Sequence, residues 1–143
     1  LSLLAEASPE QFLQKLEADL NSSSPSLRML FQDRNAGTLS SSPHLGLLRA
    51  LEVLLWNPAF FRRVVKVTAQ LAVTDTGGCW ANRPRKTLES IFSNSYPQPN
   101  FPATLRLSAV DDVVSISSDL AFEILLECSA TYTWRIAPVA TPQ

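Results

Sequence analysis

Histidine is nearly absent from this chain. His44 is the only one in 143 residues, which excludes a histidine-rich metal site and leaves His44 as the sole imidazole base for any triad. Cysteine is equally sparse. Cys79 and Cys128 stand 49 residues apart, which is neither a zinc spacing nor a disulfide framework, and they read as free thiols of a reducing cytoplasm. Glycine occurs four times. Thr76-Gly77-Gly78-Cys79 therefore falls short of a phosphate loop, which needs more glycines, a preceding strand and a Lys-Ser/Thr pair opening the next helix. No apolar run approaches the ~20 residues that cross a bilayer, because Arg49 and Glu52 interrupt the longest one. The start, Leu1-Ser2-Leu3-Leu4-Ala5-Glu6, lacks a methionine and a basic signal-peptide region, and reads as part of a longer polypeptide.

What is present is a core-forming pattern. The length matches one domain, able to bury roughly two-thirds of its unfolded surface. Pro43 to Val73 holds two helical runs separated at Trp56-Asn57-Pro58. The first, His44 to Trp56, is apolar around most of its circumference, which predicts a buried, central helix. The second, from Pro58, places Phe60, Phe61, Val64, Val65, Thr68, Leu71 and Ala72 on one face and Arg62, Arg63, Lys66 and Gln70 on the other. Ser42-Pro43 and Asn57-Pro58 each offer a side-chain acceptor at the N-cap and a proline at N1, so both starts are well specified.

Before this hairpin, Ser8-Pro9-Glu10-Gln11 has the capping-box pattern and leads a helix carrying Phe12, Leu13, Leu16 and Leu20. A short helical turn with Leu27, Met29, Leu30 and Phe31 follows. Gln32 to Ser42 reads as a polar loop that turns at Asn35-Ala36-Gly37. After the hairpin, Gly77-Gly78 ends the helix, and Asn82-Arg83-Pro84 opens a short one through Leu88, Ile91 and Phe92. Three prolines between Asn94 and Pro102 predict an extended connection. A second pair then runs Ala103 to Ile116, with Leu107, Val110, Val113 and Val114 aligned, and Asp119 to Cys128, capped by Ser117 or Ser118. Residues 129–143 read as an irregular tail, with Tyr132 and Trp134 as anchors. The expected fold is all-α: a single domain, 1–143, of about six or seven helices in an irregular HEAT- or armadillo-like stack of antiparallel pairs.

Charge is unevenly spread although the net is -1. Residues 58–106 carry seven basic and two acidic groups, and residues 107–143 one basic and five acidic. The best candidate binding surface is Arg62, Arg63 and Lys66 together with Trp80, Arg83, Arg85 and Lys86, suited to an acidic protein partner. On that reading charge reversal would remove binding and leave the fold intact. Each other candidate has a plainer reading beside it. Cys79 is a nucleophile only if a base reaches it, and otherwise a bystander thiol. Asp111, Asp112, Asp119, Glu123 and Glu127 offer carboxylates for acid/base work, and otherwise form a solvated stripe.

The string Arg49-Ala50-Leu51-Glu52-Val53-Leu54, then Trp56-Asn57-Pro58, Gly77-Gly78, Trp80-Ala81-Asn82-Arg83-Pro84 and Ile91-Phe92 resembles a helical-repeat-like region of large bacterial multidomain proteins, some similar to signalling or defence NTPases. The resemblance covers most of residues 9–126, contains no catalytic motif and implies a segment of a bigger cytoplasmic protein. The leading expectation is a non-catalytic scaffold that binds a protein partner or other domains of its parent chain, with no cofactor and no membrane. The competing expectations are a hydrolase using carboxylates or Cys79, and nucleic-acid binding through the basic middle.

Overall fold

The computed structural model describes residues 1–32, 43–78, 81–93 and 101–136, and every regular element among them is helical. The helices are α1 (Ser2–Ala7), α2 (Pro9–Leu20), a 3₁₀ turn (Ser26–Phe31), α3 (Pro43–Leu54), α4 (Pro58–Thr74), α5 (Pro84–Phe92), α6 (Ala103–Ile116) and α7 (Ser118–Ile136). None is long and apolar enough to cross a membrane. The all-α expectation holds, with one helix, α1, before the first that the sequence marks.

Local chemistry explains the boundaries. Asn57 caps α4, its Oδ1 accepting the Ala59 N–H at 3.0 Å, while Pro58 stands at N1. Ser117 Oγ accepts the Leu120 N–H at 3.2 Å and so caps α7. Past α4, Gly77 and Gly78 adopt φ of 79° and 146°, which a side chain would resist, and the Asp75 carboxylate accepts the Gly77 N–H. Ser8 departs from the capping-box expectation and makes no side-chain cap. It is shared between two helices, its N–H closing α1 on Leu4 while its carbonyl accepts from Phe12. Arg83 occupies the N-cap of α5, also without a side-chain cap. Ser42, the loop at 33–42, the connection at 94–100 and the residues beyond Ile136 lie outside the described residues, as do the side chains of Tyr132 and Trp134.

The tail is a correction. α7 runs through Ser129 to Ile136, because no helix breaker occurs there before Pro138.

The centre of the fold is the second correction: it is α4, not α3. Phe61, Val64, Val65, Val67, Thr68, Ala69 and Leu71 of α4 are buried, and the helix packs on α6 most extensively and also on α5, α2, α3 and the 3₁₀ turn. Thr68 is tolerated inside because its hydroxyl donates to the Val64 carbonyl at 2.8 Å. In α3 and the turn that follows it, Leu47, Leu48, Ala50, Leu51, Leu54 and Leu55 are buried, yet Val53 and Trp56 stand in solvent. Arg49, Glu52, Val53 and Trp56 fall at i, i+3, i+4 and i+7, so two charges set an outer stripe and carry two apolar residues with them.

Candidate functional site

The cations marked in the sequence each meet an acid, and their partners lie on different elements. Arg62 forms a two-pronged pair with Asp112 of α6, Nε to Oδ2 at 2.8 Å and Nη2 to Oδ1 at 2.9 Å, and Lys66 approaches the same carboxylate at 3.7 Å. Arg63 turns the other way, to α2. It grips Glu17 at 2.9 and 2.8 Å and Glu10 at 2.7 Å. Arg85 reaches Glu89 at 3.3 Å and Glu123 of α7 at 2.6 Å, and Lys86 meets Glu89 at 2.6 Å. Arg83 is buried, donating to Asp75 at 2.9 Å and to the Phe31 carbonyl at 3.0 Å. All six are thus tied to acids of the same fold, and Trp80 lies outside the described residues.

These pairs shape the electrostatics. The hydrogen bond from Arg62 holds the Asp112 carboxyl below its ordinary range against the opposing effect of burial, with the Arg62 and Lys66 charges helping. Hydrogen bonds from Arg63 and then Gln14 lower Glu10, and those from Ser26 and Leu27 lower Asp19. The two carboxylates raise Arg63, chiefly through the Glu17 hydrogen bond. Groups lowered in the folded state stabilise it fully above their unfolded values, near pH 4, and lose that contribution as pH falls through the folded values. Urea midpoints should therefore decline below about pH 4, where these carboxylates take up protons. Asp112→Asn should weaken the fold at pH 7 and flatten this acid decline. An unchanged acid limb in the variant would show that Asp112 contributes nothing to it.

Of the catalytic candidates, His44 is buried, with Nε2 donating to the Asn82 carbonyl at 2.7 Å and its ring stacked on Phe31 at 5.1 Å. It pins the start of α3 to the segment leading into α5. Cys128 is buried, and burial, followed by the charges of Glu89 and Glu127, pushes its thiol up, away from nucleophile chemistry. Cys79 lies outside the described residues. A polar cleft of about 320 Å³ opens between α3 and α5, walled by Arg49, Glu52, Asn82, Lys86, Thr87 and Ser90 among others, and His44 is not in its wall. Among the described residues, no group of three or more His, Cys, Asp or Glu is placed to hold a metal ion.

Another feature that the core does not explain is the outer face of α6 and α7. Of the aligned residues Leu107, Val110, Val113 and Val114, Val113 is buried and Val110 half-buried, whereas Leu107 and Val114 stand in solvent, and the packed face of α6 is Ala109, Asp112 and Val113. The reason is Asp112. Its pairs with Arg62 and Lys66 orient α6, and the small Ala109 lets α4 approach. On α7, Leu120, Ala121, Ile124 and Cys128 face inward while Phe122, Leu125 and Leu126 face out. Leu107 is 65% exposed, Phe122 68%, Leu126 58%, Val114 46% and Leu125 44%. Val110 and Leu125 also meet in a small apolar crevice with Phe92 and Val113. No family model, no curated protein and no solved structure matches this chain. The outer face was signalled in sequence by apolar residues on both sides of α6 and α7, more than one core contact can cover.

Proposed function

We propose that the chain is a non-catalytic helical scaffold or protein-interaction segment of a larger cytoplasmic protein, working through the outer face of α6 and α7. One observation carries this reading. Five large apolar side chains stand in solvent on two helices that pack on each other, and extensive exposed apolar surface is what marks interaction sites. A HEAT- or armadillo-like stack belongs to the same proposal, because helices with two apolar faces are what neighbouring helical pairs cover. Arg62, Arg63, Lys66, Arg83, Arg85 and Lys86 remain the alternative contact set, with Trp80 beside them in sequence. Their engagement with Asp112, Glu10, Glu17, Asp75, Glu89 and Glu123 favours the apolar face ahead of them and ahead of nucleic-acid binding.

An environment-sensitive apolar dye tests the reading. The native chain should bind it and still melt cooperatively. A triple variant, Leu107→Ser, Phe122→Ser and Leu126→Ser, should lose most of that binding, with stability changed by no more than about 1 kcal/mol, since surface substitutions rarely do more. Unchanged dye binding would mean that other apolar surface takes the dye, and a collapsed melt would place these side chains in the core; either outcome sinks the proposal.

A further inference from the structure

The outer face of α6 and α7 is acidic as well as apolar. Asp111, Asp119, Glu123 and Glu127 are all exposed on these helices. Among the described residues the side chains of Asp111 and Asp119 make no hydrogen bond or close ion pair, although Asp111 lies within electrostatic reach of Arg62; Glu123 is met by Arg85, and Glu127 is engaged within the fold. Arg106 is the only cation among the described side chains of residues 103–129, and it is half-buried. In helical projection Asp111 follows Leu107 on the side away from Val114, and Asp119 follows Leu126 on the side away from Phe122, so an acid flanks the exposed apolar stripe of each helix.

Resting on the interaction reading above, we infer that this face receives an amphipathic helix of a partner protein whose apolar stripe is flanked by lysine or arginine. Two rows of apolar side chains on packed helices form the kind of surface into which a third helix lays its own i, i+3, i+4, i+7 stripe. Acids along the rim then select the partner by charge. A neutral helix gains only the apolar contact, an acidic one is repelled, and a basic one gains both contact and faster encounter. The same argument disfavours a second copy of the chain. A two-fold contact is self-complementary, and it would set Asp111 and Asp119 of one copy against the like-charged face of the other.

The test uses the chain as described and three labelled peptides of about 18 residues, long enough for five helical turns. One has leucine on a helical stripe and lysine elsewhere, one replaces each lysine by glutamine, and one scrambles the lysine peptide so that no stripe remains. Anisotropy titrations should show the lysine helix binding about tenfold or more tighter than the other two, a gap of about 1.4 kcal/mol. Its affinity should fall with added salt. Asp111→Asn with Asp119→Asn should shrink the gap between lysine and glutamine helices, and Phe122→Ser with Leu126→Ser should weaken both, with circular dichroism melts run on every variant. Equal binding of lysine and glutamine helices would overturn the basic-partner inference while leaving the apolar interaction face standing. Equal binding of the lysine helix and its scramble would overturn it as mere charge attraction. A concentration-dependent dimer abolished by Phe122→Ser would overturn it in favour of a second copy. Binding of none of the three peptides, together with a dye signal that ignores the triple serine variant, would overturn both inference and interaction reading.

Discussion

Phe61→Ala is expected to cost about 3–5 kcal/mol of unfolding free energy, the usual range for emptying a buried phenylalanine site. Phe61 has no exposed surface, and its ring meets Phe101 edge to face, centroids 5.2 Å apart and planes at 82°. Removing it deletes apolar contact on the first turn of the helix against which most of the others pack, and its neighbours cannot close the gap without moving α4. A domain of this kind has only about 5–15 kcal/mol in all, so the variant should be marginal at room temperature. Leu51→Ala in α3 should cost about 2–5 kcal/mol and serves as the comparison, because α3 packs mainly on α1 and α4. Urea melts of both variants measure the two costs. A Phe61→Ala loss below about 1 kcal/mol, far under the large-to-small range, would show that α4 is not the centre of the core.

That comparison also shows where the sequence was informative. Helix ends were legible where a cap is chemical and local. Asn57-Pro58 and Ser117 act through atoms two or three residues away, and Gly77-Gly78 through their own φ. What was not legible depends on partners far along the chain. α6 has two apolar stripes, and periodicity cannot say which one faces the core. The choice is made by Asp112, whose partners Arg62 and Lys66 lie on α4. The basic middle and acidic end were likewise visible as a count, and the count is right. Their meaning was not, because pairs such as Arg63 with Glu17 join residues 46 apart, and a sequence read in windows sees only an unpartnered cation. The sequence shows that α6 and α7 carry more apolar residues than one contact can cover, but not which of them form the outer face, because an apolar residue looks the same whether it meets this core or waits for another helix.

Arg83 is the sharpest case of that kind, and replacing it should be as damaging as emptying a core site. Its side chain and that of Asp75 are only 9% and 8% exposed, and the guanidinium also donates to the Phe31 carbonyl. One side chain thus fastens the end of the 3₁₀ turn, the segment after α4 and the start of α5. Removing one member of a buried pair leaves the other charge without compensation in a poorly solvated place, a loss of about 3–5 kcal/mol. Arg83→Met keeps much of the aliphatic packing, so nearly all of its cost should come from the stranded Asp75 carboxylate and the Phe31 carbonyl. Asp75→Asn removes the charge yet keeps an oxygen for the Gly77 N–H. The double variant should therefore be more stable than Arg83→Met alone, with a coupling within the 0.5–3 kcal/mol span (about) seen for residues in one network. Urea melts of wild type, both single variants and the double variant complete the cycle. Were Arg83→Met to melt within about 0.5 kcal/mol of wild type, as ordinary surface changes do, the pair would be a solvated contact, and Arg83 would return to the set of cations available to a partner.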